Sequence, residues 1–81
     1  MLPPGGQLTM QRFGEKLRTL RKQRGMTIME LADAIGYAAY SHISEIETGK
    51  REPSLRFALK ISQFFNVTTD QLLRDDLEVG E

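Results

Sequence analysis

The sequence has no cysteine, no tryptophan, a single histidine and three prolines among its 81 residues. Without cysteine there is no disulfide, no thiolate nucleophile and no thiolate metal site, which fits a reducing cytoplasm. The lone His42 lacks partners at ligand spacing, so neither a metal centre nor a general base is indicated. Ser41 and Ser44 lie outside any G-x-S-x-G setting, which removes the usual serine nucleophile. No apolar run approaches the ~20 residues that span a bilayer, and no secretory signal is visible. No strand-like alternation of useful length and no internal repeat occur. These absences point to a small cytoplasmic domain without membrane, cofactor, metal or catalytic site, and with a thin stability margin.

Net charge is also absent, with eleven basic and eleven acidic residues, but the distribution is uneven. Residues 1–60 hold ten of the Lys/Arg and six of the Asp/Glu; residues 61–81 hold one and five. Binding to a polyanion depends on the field within about a Debye length, not on the sum over the chain. By itself this asymmetry is also what an ordinary solvated surface gives.

What the sequence does contain is helix punctuation. Thr27 and Glu30 form a T-x-x-E capping box, Leu31, Ala32 and Ile35 make one apolar stripe, and Gly36 stops the helix by taking a left-handed conformation. A second stripe at Ile43 and Ile46 is closed by Gly49. Before this pair, Thr9 is expected to cap a helix from about Met10 to Arg24, with Phe13, Leu17 and Leu20 inward and Gly25 ending it. Its cations, Arg12, Lys16, Arg18, Arg21, Lys22 and Arg24, read mostly as a solvated face. After the pair, Ser54 caps a fourth helix over about 55–65 with Leu55, Ala58, Leu59, Ile61 and Phe65 inward, and Asn66 ends it. Thr68 and Gln71 form a second capping box for a short fifth helix with Leu72 and Leu73 inward. The expected fold is all-α with five helices over residues 9–75. A Pro/Gly-rich disordered tail (1–8) and a fraying acidic tail (76–81) flank it.

The blocks T-x-x-E-L-A-x-x-I-G and I-S-x-I-E-x-G-K-R-x-P-S resemble the phage Cro/repressor-like (XRE) helix-turn-helix family. Thr27, Glu30, Leu31, Ala32, Ile35 and Gly36 carry the first block. Ile43, Ser44, Ile46, Glu47, Gly49, Lys50, Arg51, Pro53 and Ser54 carry the second, and the match extends from about Phe13 to Leu73. The resemblance implies a lambda-repressor-like domain in which the third helix, about Tyr40 to Thr48, enters the major groove of double-stranded DNA. It places Tyr40, Ser41 and Glu45 against bases. Thr27, Ile28, His42, Ser44, Lys50 and Arg51 fall near phosphates, the first two at the positive end of the second helix. It also implies an ion pair between Arg21 and Glu47.

Three departures from the family pattern stand out. The turn from Gly36 to Ile43 is one residue longer than usual. Ala39 stands where an N-cap Ser or Thr is common, and Ile28 where glutamine is common. Tyr37 and Tyr40 have packing in that longer turn as their alternative role. A homodimer through Phe64, Val67 and Leu72 is expected, with Phe64 packed under the fifth helix as the alternative. The implied function is a sequence-specific transcriptional regulator, most simply a repressor reading a palindromic operator. The rival is an antitoxin or adaptor that uses the same helices to hold a protein partner such as a toxin.

Overall fold

A computed structural model of the protein describes residues 12–37 and 39–79. Five helices follow in order: α1 (Phe13–Gln23), α2 (Ile28–Ile35), α3 (Tyr40–Glu47), α4 (Leu55–Phe65) and α5 (Thr69–Leu73). No strand occurs among the described residues. The expected first cap, Thr9, and the tail 1–8 lie outside these residues.

The core is built where the apolar stripes converge. Phe13, Leu17 and Leu20 of α1 meet Leu31 and Ala32 of α2 and Ile43 and Ile46 of α3. Phe57, Ala58, Ile61 and Phe65 of α4 and Leu72 of α5 complete the cluster. Both capping boxes form: the Thr27 and Thr68 hydroxyls accept from the Glu30 and Gln71 N–H groups, and the carboxylate and amide reach back. The Ser54 hydroxyl accepts from the Phe57 N–H and opens α4; Asn66 closes it in the left-handed region at φ 58°.

The inner face of α4 differs from the expected one. Leu55 and Leu59 are 69% and 44% exposed, whereas Phe57 and Ser62 are buried. The stripe Phe57–Ala58–Ile61–Ser62–Phe65 is the one that faces inward. Ser62 makes it look polar in sequence, but its hydroxyl is satisfied by the Leu59 carbonyl at 3.1 Å, so burying it carries little penalty.

Helix α1 is not the mostly solvated basic rod its composition suggests. Lys16 is buried, and its ammonium donates to the carbonyls of Gln71 and Arg74, each at 2.5 Å. It therefore satisfies acceptors at the end of α5 that the helix itself leaves open, and burial pushes its pKa down. At the other end of the same contact, the Arg12 N–H donates to the Asp75 carboxylate at 2.9 Å. The Arg12 guanidinium grips the Glu78 carboxylate with both terminal nitrogens, at 2.9 and 2.8 Å, and one of them also donates to the Asp75 carbonyl. Val79 packs on the core. The segment from Asp75 to Val79, most of it in the tail expected to fray, is thus docked on α1, and Asp75 supplies the cap that α1 lacks locally.

Helices α1 and α3 touch backbone to backbone at Gly14. A Cβ there would stand 2.3 Å from the Ile46 carbonyl oxygen and 2.7 Å from that of Glu47. Only glycine permits this approach, although alanine is the better helix former by about 1 kcal/mol. Gly14→Ala is expected to cost a net ~3 kcal/mol by forcing the two helices apart. Thermal unfolding followed by far-UV circular dichroism checks this: a Tm drop of roughly 10–20 °C is expected for a domain of this size.

The docked tail gives a pH dependence. Its hydrogen bond to Arg12 holds the Glu78 carboxyl below its ordinary value. A carboxylate depressed in the folded state contributes stability above its unfolded pKa and loses it as pH falls through the folded one. Amide resonances of residues 75–79 should therefore move toward random-coil positions below about pH 4, near the ordinary glutamate value. Those of Leu17 and Ile61 should stay native there, and tail signals unchanged down to pH 3 would contradict the argument.

Candidate nucleic-acid interface

Helices α2 and α3 present their outer faces side by side. Helix α2 starts at the Thr27 cap and ends at Gly36, φ 69°. The Tyr37 N–H then bonds to the Ala32 carbonyl at 2.8 Å, which turns the chain away from the helix axis. In the longer turn, the Tyr37 ring packs 5.1 Å from that of Phe57 and 6.4 Å from His42. Packing is therefore the role this tyrosine takes. Ala39 stands at the N-cap of α3 without any side-chain cap, as its methyl group dictates.

With Ile43 and Ile46 turned into the core, α3 leaves Tyr40, Ser41 and Ser44 outward. They form one wall of an open groove of about 670 Å³; Thr27, Ile28 and Met29 at the start of α2 form the other. Five of the residues expected from sequence to contact DNA, Thr27, Ile28, Tyr40, Ser41 and Ser44, thus meet around one concavity, with Arg21 beside them. Met29, 59% exposed, and Met26 also line it. Neither was singled out from sequence, because a methionine at a helix start carries no motif. The groove is consequently more apolar than a glutamine at position 28 would make it.

The remaining residues lie elsewhere. His42 is half-buried beside Tyr37 and is not among the groove residues. Lys50 and Arg51 are exposed just beyond α3. The Arg51 Nε donates to the Glu45 carboxylate at 2.7 Å, which engages one of its two oxygens and orients the group. This hydrogen bond holds the Glu45 carboxyl below the ordinary range. At the far end of the domain, Phe64 is half-buried, edge-on to Phe65 at 4.9 Å, with the Arg24 guanidinium 5.2 Å from its ring centre. Val67 is partly buried, but Leu72 is fully so. Leu72 belongs to the core and is withdrawn from the expected dimer surface, since nothing of its side chain reaches solvent. Among the described residues no cluster of His, Asp or Glu suited to a metal is present, and no helix is long and apolar enough to cross a membrane.

The orientation of α3 is fixed from α1. Arg21 donates from Nε and Nη2 to the two Glu47 carboxylate oxygens at 2.7 and 3.0 Å, and from Nη1 to the Met26 carbonyl at 2.8 Å. The side chains are only 12% and 5% exposed. A bidentate pair shielded in this way locks the end of α3 and the α1–α2 loop to one guanidinium. Glu47→Ala, leaving Arg21 buried and uncompensated, is expected to lose roughly 3–5 kcal/mol. Replacing both by apolar residues of similar volume should recover most of it, as a double-mutant cycle in urea would measure.

Two short helices joined by a turn and braced from α1, with the outer face of the second exposed, define a helix-turn-helix domain. The chain belongs to the helix-turn-helix (HTH_3) family, whose model matches residues 17–72. It is 40% identical over 65 residues to an HTH-type transcriptional regulator of Archaeoglobus fulgidus, covering 79% of this chain and 91% of that one. It is 41% identical over 61 residues to the HTH-type transcriptional activator BcrR of Enterococcus faecalis, covering 75% of this chain and 29% of BcrR. Among solved structures, the N-terminal DNA binding domain of SinR from Bacillus subtilis superposes with a TM-score of 0.74 at 32% identity, covering 84% of this chain and 99% of that one. The chain spans only 29–56% of the length of three curated regulators that it matches.

Proposed function

We propose that this chain is a sequence-specific DNA-binding transcriptional regulator, reading the major groove with α3. The observation that carries the proposal is the open groove in which the outer face of α3 stands beside the positive end of α2. In this reading Tyr40 and Ser41 meet base edges, Tyr40 offering a ring to a thymine methyl and Ser41 a hydroxyl of either polarity. Glu45 stands on the same helix face, four residues after Ser41. The first amide of α2, at Ile28, points at a phosphate, helped by the helix dipole. Thr27, Ser44 and Lys50 flank it, and Arg51 adds a second cation. His42, half-buried, has the weakest claim to a phosphate.

Recognition is proposed to be dimeric, through Phe64 and Val67, with half-sites one helical turn, about 34–36 Å, apart. Named relatives include an activator, BcrR, and a repressor, RghR. Repression is the expected outcome here where the operator overlaps a promoter. The working compartment is then the cytoplasm, and the reading requires neither a cofactor nor a catalytic step.

The test is enrichment from a randomised duplex pool, followed by fluorescence anisotropy at about 50 and 200 mM salt. A palindromic site should emerge, with affinity falling modestly between the two salt concentrations, as few phosphate contacts imply. Lys50→Glu combined with Arg51→Glu should weaken binding by about 100-fold or more, because attraction becomes repulsion at two exposed positions. Absence of any enriched duplex, with co-purification of one stoichiometric protein partner instead, would favour the adaptor or antitoxin alternative.

A further inference from the structure

The chain reverses sharply after α3. Gly49, at φ 82°, allows the Lys50 N–H to return to the Glu45 carbonyl at 2.8 Å. The Thr48 hydroxyl closes on the Ser44 and Glu45 carbonyls at 3.1 and 3.2 Å. This turn brings Arg51 back alongside the helix, where its Nε meets the Glu45 carboxylate. Both side chains remain nearly half exposed, at 47% and 43%, and among the described residues neither terminal nitrogen of Arg51 has a partner. Neighbouring Lys50 makes no side-chain bond within the described residues and retains its rotational freedom.

Fixing a guanidinium through Nε orients its plane and leaves the terminal N–H fork pointing away from the carboxylate. A fork held in this way matches the O6 and N7 acceptors that guanine presents in the major groove. It is poorly suited to being a phosphate clamp. The Glu45–Arg51 unit is neutral, so docking it on the backbone releases few counterions, and its carboxylate repels the phosphate it would approach. Glu45 sits one turn after Ser41 on α3, which puts the unit on the face assigned to bases.

We propose that Arg51 is a guanine reader and that Glu45 is its positioning residue, not an acceptor for cytosine. This rests on the DNA-binding reading above and replaces the phosphate role of Arg51 in it with a base contact: the operator half-site contains a guanine opposite the C-terminal half of α3. Phosphate anchoring after α3 then falls to Lys50 alone.

The decisive probe uses the unaltered protein on its selected duplex, with each guanine replaced in turn by 7-deazaguanine, which lacks the N7 acceptor. One position per half-site should lose about tenfold in affinity. Its replacement by adenine should cost up to about 150-fold, the range of a good bidentate contact. Arg51→Ala should be indifferent to 7-deazaguanine at that position and leave the salt slope nearly unchanged, whereas Lys50→Ala should lower the slope by about one. Glu45→Gln should keep the guanine preference but narrow it.

The proposal is overturned if no guanine is sensitive in the unaltered protein. It is overturned equally if Arg51→Ala weakens all duplexes evenly and lowers the slope by about one, or if Glu45→Gln changes the preference at a cytosine instead. In all three cases the unaltered protein still selects a site, and only the role of Arg51 falls. If it selects no duplex at all, the DNA-binding reading fails and takes this one with it.

Discussion

Everything outward-facing in this domain depends on how closely α1 approaches α3. Eight residues of helix are too few to be stable alone, and α3 begins without a cap at Ala39. It is held instead from behind. Ile43 and Ile46 are sunk in the core, Gly14 lets the α1 backbone come within contact distance of the Ile46 and Glu47 carbonyls, and Arg21 closes on the Glu47 carboxylate. These constraints are steric, hydrophobic and ionic, and they act on one short helix from one long one. A missing Cβ at position 14 and a carboxylate at position 47 therefore set where Tyr40, Ser41 and Ser44 stand. Rigid presentation of those side chains is what separates a reading head from an exposed amphipathic helix, since contacts made by a preformed surface cost less ordering on binding.

Much of this was legible in the chain because it is local. Capping boxes, glycine stops and the 3.6-residue stripe each act within one or two turns, so Thr27–Glu30, Gly36, Asn66 and Thr68–Gln71 identify their own helix ends. The Arg21–Glu47 pair is not local; the family resemblance supplied it, and spacing alone would not have. Contacts that were missed are those whose partners lie far apart in sequence. Nothing near Lys16 says that its ammonium will end α5, 55 and 58 residues away, and nothing near Arg12 predicts a cap from Asp75 at a separation of 63. The wrong face of α4 has a different origin. Leu55 and Leu59 outrank Ser62 on any hydrophobicity scale, but burial follows geometry and satisfied hydrogen bonds more closely than rank order. Phe57 packs against Phe13 of α1 and Tyr37 after α2, Ser62 is buried on the same side of α4, and the leucines remain outside.

The site was half legible for a related reason. Residue types at motif positions identified which helix faces outward, and the groove gathers five of them. Its apolar lining by Met26 and Met29 and the diversion of Glu45 to Arg51 depend on side-chain directions after Gly49, which no motif encodes. Tyr37 illustrates the limit: a tyrosine in a lengthened turn can face either way, and only the position of Phe57 decides that it packs inward.

The zero net charge can now be reconciled with a polyanion-binding face without invoking long-range steering. Acidic residues are concentrated at the end of the chain, and several are already engaged there. Arg12 pairs with Glu78 and Arg74 with Asp76, while the Asp75 carboxylate accepts from the Arg12 backbone N–H. A carboxylate engaged in an ion pair projects the field of a dipole, which decays faster with distance than that of a free charge and is further screened by salt. At a contact surface what matters is which charges remain uncompensated within a few ångströms. After α3, Lys50 and Glu52 are exposed with no side-chain partner among the described residues, and Arg51 is neutralised by Glu45. On these terms the domain is a weak general polyanion binder, and discrimination between duplexes has to come from base contacts. A regulator built this way is expected to owe less of its affinity to backbone charge, and more to the few side chains on α3 and its returning turn, than one that carries a basic surface.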